Sequence, residues 1–148
     1  MAEDRHLLIE LDGNWEAVAG PKTCSYMRKG RINNNALQVS IAVNNSNARL
    51  QIEPEELIVA WVQRIGGSNM RVSPCQSQFG KMVTVTFSAG DFAHCRAWFS
   101  TDGMSTIQAT FICDGQPSDA ELTEVSQMAR SMRLAQAKPT KKSGWWPF

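Results

Sequence analysis

Little in this chain is in excess, and each shortage removes a class of function. Fifteen Lys and Arg stand against fourteen Asp and Glu, so no long-range field gathers nucleic acid or an anionic membrane. No stretch approaches the ~18 apolar residues of a membrane-spanning helix. The four cysteines, Cys24, Cys75, Cys95 and Cys113, show none of the CxxC spacings that zinc sites and redox dithiols use. In a reducing compartment they serve as small hydrophobes. Nucleophile elbow, P-loop, dinucleotide fingerprint and HExxH are all missing, which lowers the expectation of catalysis and implies no cofactor. The opening Met1-Ala2-Glu3-Asp4-Arg5-His6 lacks the basic flank and apolar length of a secretory signal, so the chain is expected in the cytoplasm.

What remains is enough for one α+β domain. A chain of 148 residues buries roughly two-thirds of its unfolded surface. Leu7 to Leu11 reads as a short strand running into the turn cluster Asp12-Gly13-Asn14 and a buried Trp15. Residues 23–29 and 36–43 read as a hairpin, because Leu37, Val39, Ile41 and Val43 alternate with smaller or polar residues. Pro54 at a first helical position, Glu55 and Glu56 beside it, and Gly66-Gly67 at the far end predict a helix over 54–65. Leu57, Trp61 and Ile65 are expected on its sheet-facing side.

Residues 81–113 hold three β-rich runs. If Asp102-Gly103 makes a two-residue type I′ turn, Trp98 lies opposite Ile107, Arg96 opposite Ala109 and His94 opposite Phe111. One side then carries Trp98, Ile107, Phe111 and Cys113, the other Cys95, Ala97, Phe99 and Ile112. Both sides are apolar enough to need cover, which the two helices are expected to give. Ser118-Asp119-Ala120-Glu121 is a capping box, and Leu122, Val125, Met128 and Met132 follow at helical spacing. The domain is therefore expected over 1–134, closed by an amphipathic C-terminal helix. Residues 135–148 form a basic and aromatic tail, since Pro139 and Gly144 oppose further helix.

Candidate chemistry is thin. His94 and Cys95 are neighbours on a strand, so they point to opposite faces and do not act together. Glu53, Glu55 and Glu56 suit a solvated helix start better than a metal site, which needs oxygens converging from several positions. Asp102, Asp114 and Asp119 occupy turn and cap positions. Arg28, Lys29 and Arg31 cluster beside Tyr26, as a contact for an acidic partner or as a solvated hairpin end. In the tail, Trp145, Trp146 and Phe148 follow three lysines, a combination that suits a membrane interface or a partner's groove. The alternative is that these rings fold back on their own domain or on a second copy.

Leu8-Ile9-Glu10-Leu11-Asp12-Gly13-Asn14-Trp15, the block from Arg96-Ala97-Trp98 to Thr110-Phe111-Ile112-Cys113, and the helix Ser118 to Leu134 resemble the Mog/PsbP-like α/β/α sandwich superfamily. That resemblance implies an antiparallel sheet with helices on both faces. It also implies a mainly non-enzymatic role of the kind seen in a GTPase-binding transport factor, a photosystem subunit, lipoproteins and type VI secretion chaperones. No catalytic residue carries over, because fold alone does not select a function.

The resulting expectation is a protein- or peptide-binding module, with a secretion-associated chaperone or adaptor as its implied form. Its partner contacts are Trp145, Trp146, Phe148, Arg28, Lys29 and Arg31, with peripheral membrane contact through the tail and a homodimer left open. The rivals are a small-ligand binder or enzyme, with a pocket around His94, Arg96 or Asp114, and an immunity or inhibitor protein with a charged contact surface.

Overall fold

The computed structural model describes residues 5–18, 24–30, 34–43 and 53–136. In chain order the elements are β1 (Arg5–Leu8), β2 (Trp15–Val18), β3 (Cys24–Arg28), β4 (Ala36–Val43), α1 (Pro54–Arg64), β5 (Ser68–Cys75), β6 (Lys81–Ala89), β7 (Phe92–Thr101), β8 (Ser105–Ile112), α2 (Asp119–Arg130) and β9 (Arg133–Gln136). A seven-stranded sheet runs β2-β3-β4-β8-β7-β6-β5, and its described pairings are antiparallel. The expected hairpin of 23–29 with 36–43 forms as β3 and β4, Tyr26 opposite Leu37. Among the described residues the fold is a mostly antiparallel α+β one with two helices.

The ends of the domain depart from the sequence reading. The opening strand spans Arg5–Leu8 rather than Leu7 to Leu11, and it stands apart from the main sheet, paired with β9. The helix at 119–130 is therefore not the last element. The chain doubles back and pairs with β1 as far as Gln136. The turn between β1 and β2 follows expectation: Asp12 accepts from Asn14 N–H through its carboxylate and from Trp15 N–H through its carbonyl, at 2.8 and 2.9 Å. Trp15 is only 1% exposed.

The β7–β8 turn is longer than predicted. Thr101 faces Thr106 and Trp98 faces Ala109, so the register is displaced by two residues and four residues make the turn. A type I′ turn needs positive φ at both central residues, and only Gly103 supplies it, at 91°. Asp102 instead accepts from the N–H groups of Met104 and Ser105 at 2.8 Å, closing a wider loop. A two-residue slip leaves every side chain on its predicted face.

Two apolar clusters follow from those faces. Trp98, Ile107 and Phe111 pack with Val125 and Met128 of α2 and with Met132 just beyond it. Cys95, Ala97 and Phe99 pack with Val83, Val85 and Phe87 and with Ile58 and Val62 of α1. On α1 the buried stripe is Pro54, Ile58 and Val62, with Leu57 and Trp61 partly buried beside it. Ile65 is 43% exposed, against expectation. It is the helix's C-cap, where the backbone has already left helical geometry and the i+4 spacing no longer fixes direction.

The cover given by α1 is partial. Its cluster takes in β6 and β7 but none of β4, where Gln38, Ser40 and Ala42, alternating with Leu37 and Val39, lie exposed. The β4 part of that face is thus open among the described residues, consistent with an antiparallel sheet that tolerates a wet side.

Candidate functional site

Arg28, one of the expected partner contacts, is already engaged within the fold. Its Nε and Nη2 donate to the two carboxylate oxygens of Glu124 on α2 at 3.0 and 3.2 Å. The same carboxylate accepts the indole N–H of Trp15 at 2.9 Å and Asn14 Nδ2 at 3.0 Å. Arg28 therefore ties β3 to α2, with its side chain still about one-third exposed. Lys29 is exposed, with its backbone N–H on Asn14 O at 2.7 Å. Arg31, Trp145, Trp146 and Phe148 lie outside the described residues.

His94 and Cys95 separate as expected: Cys95 is buried in the α1-side cluster and His94 is exposed. Glu53 precedes α1 and accepts from Lys81 Nζ at 2.9 Å. Asp114 accepts the backbone N–H of Asn34 at 3.1 Å. Among the described residues no group of three or more His, Cys, Asp and Glu is placed to hold a metal ion. No helix among them is long and apolar enough to cross a membrane.

Two concavities stand out. The larger, about 580 Å³, is an open groove between the start of α1 and the β5–β6 edge. Its walls include Pro54, Pro74, Met82 and Val83, with Gln76 and Lys81 at the rim. Among the described residues strand β5 is an edge of the seven-stranded sheet, the kind of place where a further strand can add. The sequence reading passed over β5. Partly buried Met70 and Val72, alternating with exposed Arg71 and Ser73, carry the period-two signal that marks it.

The smaller concavity, about 250 Å³, opens beside the start of α2. It is lined by His94 and Arg96 of β7, Thr86 and Ser88 of β6, Asn69 of β5, and Pro117, Asp119 and Leu122. His94 and Arg96 both line this open concavity, and Asp114 does not. The cavity forms because strand positions 86 and 96 face each other across β6 and β7, and Leu122 of α2 comes in over them.

No known protein family matches the chain, and no curated protein is similar to it. Among solved structures it is similar to the solution structure of cyanobacterial PsbP (CyanoP) from Synechocystis sp. PCC 6803. The TM-score is 0.58 at 13% identity, over 87% of this chain and 92% of that one. At that identity the likeness is one of fold, and the fold is PsbP-like.

Proposed function

We propose that this protein is a non-enzymatic binding module that takes up a protein or peptide segment in the groove between α1 and the β5 edge. The observation that carries the reading is the groove itself: an open concavity of about 580 Å³, partly apolar through Pro54, Met82 and Val83, that reaches the end of the edge strand at Pro74 and Cys75. Extended segments bind such places by adding main-chain hydrogen bonds to the edge and seating alternate side chains in the channel. Pro74 lacks an N–H and limits that addition to part of the strand. The open β4 part of the sheet face is a poorer receptor for an apolar segment.

The superfamily resemblance read from the sequence suggests a chaperone or adaptor form of this role, secretion-associated, inside an α/β/α frame and in the cytoplasm. Trp145, Trp146 and Phe148 would add a second anchor for the same partner or for a membrane surface.

Selection of a random peptide display library on the purified protein tests the proposal. Enriched peptides should be apolar and should lose binding to Gln76→Trp, which fills the exposed rim of the groove. They should keep binding to Ser40→Trp on the open sheet face. Peptides indifferent to Gln76→Trp, or no enrichment at all, would remove the groove as the binding site.

A further inference from the structure

Arg96 is the described residue whose polar atoms are least accounted for by the fold. It lies in the middle of β7, opposite Thr86 on β6 and Phe111 on β8, and is partly buried. Its Nη1 reaches Ser126 Oγ of α2 at 3.5 Å. Its Nε is, among the described residues, the one buried side-chain nitrogen or oxygen with no hydrogen-bond partner. A dry, unpaired N–H on a group that never gives up its charge is costly to keep. A group of this kind needs an explanation, and a ligand that brings the missing acceptor is one.

The 250 Å³ cavity is where such a ligand would sit, because Arg96 lines it. The strands at its edge are irregular there. The β5–β6 register shifts between Ser68 and Arg71, and the β6–β7 register between Phe87 and Ala89. Between the first pair, Asn69 takes a φ of +57°. Bulges re-aim side chains and recur beside binding sites, and strained backbone tends to accompany them.

Charge and geometry narrow the ligand class. The cavity wall carries one permanent cation, Arg96, and one carboxylate, Asp119, so it has no surplus positive charge and opposes a dianion more strongly than a single negative charge. The start of α2 does not cradle a phosphate, since its capping box commits Glu121 N–H to Ser118 Oγ at 3.1 Å. With Nη1 turned to Ser126, the Nε–Nη2 edge of the guanidinium is a planar fork that matches the two oxygens of a carboxylate. Leu122 and Pro117 supply an apolar wall. We propose that this cavity binds a monocarboxylate, its oxygens on the Nε–Nη2 edge of Arg96 and its apolar body against Leu122 and Pro117. The site is independent of the groove beside β5.

The test is a titration of the isotopically labelled full chain with sodium benzoate at constant ionic strength, following the Arg96 Nε–H resonance. A saturable shift is expected with benzoate and none with benzamide, its uncharged analogue. Arg96→Lys keeps the charge but not the fork and should weaken binding by about tenfold or more. Gln116→Trp, at an exposed position on the rim, should block binding without touching the core.

A dipeptide with a free C-terminus, set against its amide, separates the sources. Tighter binding of the free acid than of benzoate assigns the site to a chain terminus, and the reverse order to a small metabolite. Without ligand, Arg96→Met should melt no lower than the wild type, whereas a purely structural arginine would melt lower when replaced. Absence of saturation at about ten times a millimolar Kd, or equal binding of benzamide, overturns the proposal.

Discussion

Glu124 accepts the Trp15 indole N–H and the Arg28 Nε–H on the same carboxylate oxygen, at 2.9 and 3.0 Å. One side chain of α2 thereby fixes the start of β2 and the end of β3. Desolvation pushes the Glu124 carboxyl up. The hydrogen bonds from Trp15, Asn14 and Arg28, with the charge of Arg28, outweigh it and hold the group below its ordinary value of 4.5. A depressed folded-state pKa contributes stability that is complete above the unfolded value and disappears as pH falls through the folded one. Glu124→Gln should therefore cost about 1–3 kcal/mol in urea unfolding at neutral pH. The gap to the wild type should close on acidification below about pH 4. A gap that stays constant over that range would show that the carboxylate's charge contributes nothing.

The depth of burial along α2 predicts an unequal response to truncation. Val125 and Met128 are 0% and 1% exposed, while Leu122 is only partly buried at the rim of the small cavity. Met128→Ala should lose about 2–5 kcal/mol, since it leaves a void in a close-packed layer. Leu122→Ala should lose clearly less, because the cavity already meets its side chain on one side. The sequence alone ranks Leu122→Asp among the most damaging changes, since hydrophobic spacing says which face is inward and not how far each position is from the edge. Urea midpoints for the two alanine variants decide the order, and equal losses would place Leu122 in the core.

That distinction between face and depth runs through the molecule. Period-two alternation assigned each residue of β7 and β8 to its face, and this survived a two-residue error in register because the pleat repeats every two residues. The turn was misread because Asp102 uses its side chain on Met104 and Ser105 instead of adopting positive φ, a choice between two favourable local states that the dipeptide does not settle. Strand β9 was invisible, since Arg133–Gln136 becomes a strand only through β1, more than a hundred residues away in sequence. The tie made by Arg28 was hidden for the same reason: its partner lies on α2. The unpaired Nε of Arg96 arises from what surrounds it in space, and no spacing in the sequence encodes that.

Thiol reactivity should follow the same burial. Cys24 is exposed and Cys75 intermediate, while Cys95 and Cys113 are buried. Burial pushes the Cys113 thiol up to about 12, with Glu121, Cys95 and Asp114 adding to the effect through their negative charge. Burial raises Cys75 as well, and Arg130 opposes the rise. Because the thiolate is the reacting species, iodoacetamide at about pH 8 should modify Cys24 first, Cys75 more slowly, and Cys113 only on unfolding. Peptide mass spectrometry over a time course reads the order, and early labelling of Cys113 would contradict its place in the core.

Gly80 sits where the chain enters β6, and no other residue type fits there. Its φ is +57°, and a Cβ at this position would run into the carbonyl oxygen of Thr101, a backbone atom on the neighbouring strand β7. The preceding loop is pinned on both sides: Ser77 Oγ accepts Phe79 N–H at 2.9 Å, and the Ser100 hydroxyl donates to Phe79 O. The loop has little freedom to move the clash away. Left-handed backbone costs a residue with a side chain about 1 kcal/mol, and displacement of a paired strand adds to it, so Gly80→Ala should lose more than about 2 kcal/mol. Gly115 has no positive φ and nothing within 4 Å of a built Cβ, so Gly115→Ala should stay within about 0.5 kcal/mol of the wild type. Urea unfolding of the two variants checks the contrast. Because Gly80 also lines the large groove, Gly80→Ala should weaken any selected peptide even where the protein remains folded, whereas Gly115→Ala should leave peptide binding unchanged.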